Sequence, residues 1–161
     1  VRIRLARGDG TTLYNATPKA DGRTSIAGNG AKVAPKIEKG YAVITRTWKK
    51  GDKIDLVLPM KIQRIKGSDK IAATAGQVAF RYGPLMYTAE NVDQDITGKV
   101  GHNTPLTTEW KGDLLDGVMV IKGWWLDGKP LLAIPYYARN NRSDQTPKGR
   151  IKGSSIWLKT Q

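Results

Sequence analysis

The feature that most constrains this chain is the brevity of its apolar runs: each alternates, and glycine, aspartate, asparagine or proline ends each of them. A period of two puts every second side chain on one face of an extended strand, and turn residues at such short intervals leave no room for a helix of several turns. Val1-Arg2-Ile3-Arg4-Leu5 alternates and runs into a turn at Gly8-Asp9-Gly10. Residues 11–39 are more weakly patterned. Within them Asn29-Gly30 is the pair a tight hairpin favours, with Ser25-Ile26-Ala27 before it and Lys32-Val33-Ala34 after it. Residues 41–48 and 53–58 read as two antiparallel strands joined by a turn at Lys49-Lys50-Gly51-Asp52; Pro59 permits a bend or an edge position, and residues 60–66 continue extended. Further strands are expected over 77–82 and 85–89 around Gly83-Pro84, over 118–125, over 131–137 after the Asp127-Gly128 turn, and over 155–158. Polar loops fill 91–105 and 139–153.

No stretch carries a convincing 3.6-residue period. An antiparallel sheet with one wet face must bury the other, so the pattern predicts an all-β fold, an antiparallel β-sandwich of jelly-roll type. With 161 residues, 18 of them glycine and 39% hydrophobic, the chain is long enough for a real core and is expected to form one domain over 1–161, with 1–39 its least patterned part.

Composition excludes several chemistries. With no cysteine there is no disulfide, thiolate nucleophile or cysteine-based metal site, and with His102 the only histidine there is no histidine pair for a metal. The net charge of +13 raises the question of nucleic acid. The basic residues, however, are spread along the chain, and positions such as Lys61, Arg64 and Lys66 fit a solvated sheet face. No nucleic-acid reader motif accompanies them, so no nucleic-acid partner is expected. No apolar run reaches membrane-spanning length, so no membrane partner is expected either. The chain begins at Val1 without a signal-peptide pattern, which reads as a piece of a longer polypeptide whose targeting information lies upstream.

Paired carboxylates are what glycoside hydrolysis requires. Glu90, Asp93 and Asp95 cluster, but at a strand end entering a loop, and no spacing among the acids demands a catalytic pair. Asp93-Gln94-Asp95 has the alternation of a calcium loop without the rest of the motif, so a solvated acidic loop is the simpler reading and no metal site is assigned. His102, among Gly101, Asn103 and Thr104, reads as an exposed loop residue. Aromatic rings are the usual platforms for sugar C–H faces. Neighbours on a strand point to opposite sides, so one of Trp124 and Trp125 faces the core and the other faces outward. The outward one, with Tyr136 and Tyr137, is the candidate ligand-binding surface.

Three runs then carry a resemblance: GYAVITRTWKKGDKIDLVLPMKIQRI at 40–65, GQVAFRYGPLMYTAEN at 76–91 and LLAIPYYARNNR at 131–142. Arg46, Trp48, Gly51, Asp52 and Leu58-Pro59-Met60, followed by Arg81, Gly83, Pro84, Leu85 and Tyr87, match in order and spacing. The chain thus resembles the C-terminal β-rich region of bacterial proteins of the β-L-arabinofuranosidase type, glycoside hydrolase family 127. The resemblance implies a parent enzyme with an N-terminal (α/α) barrel that holds a cysteine nucleophile and a zinc bound by cysteine and glutamate. None of these has a counterpart here, so no catalytic residue, metal or cofactor is carried over. It implies a non-catalytic accessory domain whose partner is the catalytic barrel of the parent, and a periplasmic or extracellular parent. The second reading is a carbohydrate-binding module using Trp124 or Trp125 with Tyr136 and Tyr137.

Overall fold

The computed structural model describes residues 1–4, 13–18, 25–58 and 60–161. The expected turn at Gly8-Asp9-Gly10, together with Leu5 and Pro59, lies outside them. In chain order the strands are β1 (Arg2–Arg4), β2 (Tyr14–Thr17), β3 (Ser25–Gly28), β4 (Ala31–Val33), β5 (Lys36–Glu38), β6 (Tyr41–Val43), β7 (Ile54–Val57) and β8 (Ile62–Gly67). They continue with β9 (Gln77–Tyr82), β10 (Leu85–Glu90), β11 (Lys99–Val100), β12 (Thr107–Lys111), β13 (Val118–Trp124), β14 (Pro130–Pro135), β15 (Ser154–Ser155) and β16 (Leu158–Thr160). Three short 3-10 turns are the only helical elements among the described residues. The fold is all-β, as the alternation requires, and every strand pair but β11 with β16 is antiparallel.

Where the sequence suggests one domain, the chain divides into two compact units, one drawn from 1–10 and 19–60, the other from 11–18 and 61–161. The first holds two three-stranded sheets, β1-β6-β5 and β4-β3-β7. They share a small core in which Ile26, Ala42 and Ile44 are buried, with Ile3, Val33 and Ile54 against them. The Asn29-Gly30 hairpin forms as expected, both residues taking positive φ, 52° and 79°.

The pairing expected between 41–48 and 53–58 does not form. β6 pairs with β1 and β5, and β7 pairs with β3. The reason lies in the intervening turn. Asp52 accepts from Asn29 Nδ2 at 2.9 Å and from the Lys49 N–H at 2.9 Å, while the Lys53 N–H donates to Asn29 Oδ1 at 2.8 Å. The Asp52 carboxylate is thereby spent on tying its turn to the β3–β4 turn, and the chain leaves it along β3 rather than doubling back on β6.

The second unit is built on one ten-stranded sheet that closes on itself through an isolated bridge, with β12 left outside the circuit. The path runs β9-β10-β14-β13, then from Trp125 across an isolated bridge to Val100 in β11, then through β16 back to β9. Each strand of that circuit contributes to the core inside it: Val78 and Phe80, Tyr87 and Ala89, Leu131 and Ala133, Ile121 and Trp125, Val100, and Leu158. The opposite face of β13 and β14 carries a second, smaller core of Val118, Val120 and Ile134, closed by Ala138 and Leu114. The Tyr87 hydroxyl donates to the Met119 carbonyl at 3.0 Å, and burial pushes this phenol up to about 12.

Two strands end earlier than alternation alone suggests. The strand expected over 131–137 stops at Pro135, because the next three residues turn into a 3-10 element, Tyr136–Ala138. The strand expected over 155–158 is split into β15 and β16, with Ser155 Oγ donating to the Trp157 carbonyl at 2.6 Å across the break.

Candidate functional site

Two features of the second unit gather functional side chains: the acidic loop after β10 and the aromatic residues around β13 and β14. Glu90, at the end of β10, is 3% exposed. One of its carboxylate oxygens accepts from the Asn140 N–H and the other from Arg142 Nη2 at 2.9 Å. Asp93 takes the same guanidinium through two bonds, 2.8 and 2.7 Å. The pull of Asp93, and after it Glu90, raises the Arg142 pKa despite burial. This ties the 139–153 loop back to β10. Asp95 accepts from both the N–H and the hydroxyl of Thr97, the backbone bond first, and its pKa is lowered accordingly. Glu90, Asp93 and Asp95 are therefore occupied by a guanidinium and a loop turn. Among the described residues no group of three or more potential ligands could hold a metal ion.

Between these acids Gln94 points inward and is 7% exposed. Its Oε1 accepts from Trp125 Nε1 at 3.1 Å and from the Leu132 N–H at 2.9 Å, while its Nε2 donates to the Leu132 carbonyl. Above this pair opens a shallow cleft of about 420 Å³, rimmed by Asp95, Asp127, Lys129 and Arg150. Lys129 and Asp127 pair at 2.7 Å. The cleft has a polar, charge-balanced rim over a tryptophan floor. It offers hydrogen bonds to a polar solute but presents no nucleophile beside a base.

Trp125 is the inward member of its pair, 4% exposed, and Trp124 the outward one, 54% exposed. Tyr136 and Tyr137 are exposed as well, but in the 3-10 turn rather than on a strand. The four residues do not converge. Trp124 pairs with Pro130 at the start of β14 and the tyrosines follow its end, a strand length of about 17 Å away. The Arg139 guanidinium lies 4.7 Å from the Tyr136 ring centroid. Trp110, also among the aromatic residues the sequence offers as platforms, is 62% exposed on the edge strand β12. Its run, Thr107–Lys111, holds only one large apolar residue, so alternation gave no signal of a strand there. The sequence pattern places Arg64 on a solvated face. Arg64 lies directly across from Phe80 in the β8–β9 register, on the core side of the sheet, and is partly buried.

Fold and geometry together define an all-β, two-unit region with no cluster of potential metal ligands among its described residues. Residues 62–148 match the glycoside hydrolase family 127 C-terminal domain and residues 1–60 the β-L-arabinofuranosidase GH127 middle domain, so the chain belongs to glycoside hydrolase family 127. The junction of the two matches falls where the second unit takes over, at Lys61. Among solved structures, the chain is similar to a GH127 β-L-arabinofuranosidase from Geobacillus stearothermophilus T6. The two share 30% identity at a TM-score of 0.72, over 86% of this chain and 25% of that one. It is also similar to a second GH127 β-arabinofuranosidase, at 27% identity and a TM-score of 0.76, over 92% of this chain and 25% of that one. A third glycoside hydrolase shares the fold at 21% identity and a TM-score of 0.71, over 86% of this chain and 26% of its own. No curated protein sequence matches it. The chain thus spans about a quarter of the length of its solved relatives.

Proposed function

We propose that this chain is the non-catalytic, structural part of a family 127 glycoside hydrolase, and that its partner is the catalytic barrel of such an enzyme. The observation that carries the reading is the β7 edge. Leu56, Val57, Leu58 and Met60 are exposed to 41, 61, 57 and 43% along one short run. Among the described residues β7 also ends its sheet, with only β3 beside it. An apolar edge strand with an open row of backbone donors and acceptors is a surface natural proteins keep covered. A catalytic domain of the same family is the cover the family membership supplies. The isolated chain is expected to release no nitrophenol from an aryl β-L-arabinofuranoside, and to bind a family 127 catalytic domain supplied separately. Val57→Lys is expected to abolish that binding while leaving the circular dichroism unchanged. Turnover by the chain alone, or binding indifferent to Val57→Lys, would refute the reading.

A carbohydrate-binding role is the second reading, and the outward ring of Trp124 favours it. Its mark is arabinan or arabinoside binding that disappears in Trp124→Ala, a substitution at an exposed position expected to change stability by no more than about 0.5 kcal/mol. Calorimetry showing no heat with either sugar would dispose of it.

A further inference from the structure

On β8 and the loop that follows β11, three nitrogen-bearing side chains come together with no acid among them. Arg64 reaches across the core side of the sheet, and its Nη2 donates to the carbonyl of Thr104. Its Nε is buried with no hydrogen-bond partner. Two residues on, and so on the same face of the strand, Lys66 places Nζ 3.3 Å from His102 Nδ1. His102 and Thr104 belong to one turn, closed by the Thr104 N–H donating to the Gly101 carbonyl at 3.2 Å. That turn is held on its far side by close packing: a Cβ on Gly123 would lie 2.7 Å from Leu106 Cδ2 and 3.2 Å from the Pro105 carbonyl. The turn is thus fixed against the sheet, and two cations from one strand meet it side by side.

The contrast with other arginines of the chain is the informative point. Arg142 is paired with Glu90 and Asp93, and Arg46 with Asp52. Among the described residues no ion pair reaches Arg64, Lys66 or His102. Burial lowers the Arg64 pKa, and no neighbouring carboxylate offsets it. A partly desolvated guanidinium without a counter-charge is costly, and proteins ordinarily supply one. The remaining valences here are also of one kind. Lysine can only donate, so His102 Nδ1 is the acceptor of that contact. Arg64 Nη1 and the free N–H bonds of Lys66 are all donors, while the far nitrogen of His102 points away from Lys66 across the ring. Donors alone, borne on cations, fit an oxyanion.

We infer that Arg64 and Lys66, with His102 beside them, form a binding site for a small oxyanion, a phosphate, sulfate or carboxylate, seated on the 101–104 turn. His102 is the only histidine of the chain, so its imidazole resonance reports on this place and nowhere else. The test is a titration of the full 161-residue chain with inorganic phosphate, sulfate and acetate, each at the same ionic strength as a chloride control. A saturable shift of the His102 resonance at millimolar anion is expected. Loss of one charge-assisted bond in Lys66→Gln should weaken binding about tenfold. Lys66 is exposed, so that variant keeps its fold, whereas Lys159→Gln, on an exposed position of β16, should bind as the parent does. A shift with phosphate and sulfate alone assigns the site to tetrahedral anions, and one with acetate alone assigns it to carboxylates. A response no different from chloride, or an affinity unchanged in Lys66→Gln, overturns the inference.

Discussion

In the C-terminal unit, strands of six and seven residues wrap a core in which Phe80 and Tyr87 are both exposed to 1%. Among the described residues, the N-terminal unit has strands of three or four residues, and Ile26, Ala42 and Ile44 form its buried core. Both obey the same alternation rule, so the difference is one of length. A strand of three residues can send at most two side chains inward, and a sheet of three such strands cannot exclude water from much apolar surface. The longer strands also allow curling, which turns one sheet into a closed wall with side chains arriving from every direction. The N-terminal unit instead compensates with polar ties, above all Asp52 to the β3–β4 turn, and leaves Leu56 to Leu58 uncovered.

The comparison is most exposed to a truncation. A chain of residues 61–161 lacks β2, the partner of β8 from Tyr14↔Gly67 to Thr17↔Arg64, and leaves buried Gln63 without the Pro18 carbonyl. Losing that ladder and orphaning Gln63 is expected to cost on the order of 4 kcal/mol in urea unfolding. If the shortened chain unfolds as cooperatively and at the same midpoint as the full one, the second unit does not depend on β2. Trp125→Ala should cost about 4 kcal/mol, because it opens a cavity at the seam of the curled sheet and strips Gln94 Oε1 of a donor, whereas Ile44→Ala in the smaller core should cost about 2. Equal losses in thermal unfolding would erase the contrast drawn here. Glu90→Gln leaves Arg142 half-compensated in a site where Glu90 is 3% exposed, with an expected loss of about 2 kcal/mol. Amide exchange should show where it acts, accelerating within 139–146 first.

The smallest effect concerns Glu109 on β12. It is held down to about 2, from an ordinary 4.5, first by the hydrogen bond from Lys111 and then by that from Lys122. Because its folded pKa lies below the unfolded one, its contribution is complete above about pH 4.5 and is lost as the pH falls toward about 2. Melting temperatures of the parent and Glu109→Gln should therefore converge on acidification through that window. A gap that stays constant or widens would show that Glu109 stabilises nothing.

Much of this fold is legible in the sequence. Alternation located β3, β4, β9, β10 and β13, and Asn29-Gly30 and Gly83-Pro84 marked their hairpins, because both signals are local. That Trp124 and Trp125 face opposite ways followed from strand geometry, but which of them faces inward did not. Partnership was not legible. β6 and β7 were found but mismatched, since which edge a strand joins depends on Asn29, more than twenty residues from Asp52 in sequence. β2, β5 and β12 escaped because edge strands with polar faces look like loops. Arg64 was misplaced for a related reason: its neighbours on β8 alternate correctly, but the sheet curls, so the side that looks solvated in a flat strand becomes an inner wall.

The assignment of residues 13–18 to the later unit has a consequence for how such proteins can be rearranged. The polypeptide visits one body, leaves a single strand in the other, returns, and only then departs for good at Lys61. Modules threaded this way cannot be exchanged between relatives by one recombination event. A crossover at the apparent boundary would give each progeny a borrowed strand, so selection has to preserve the two bodies as a matched set.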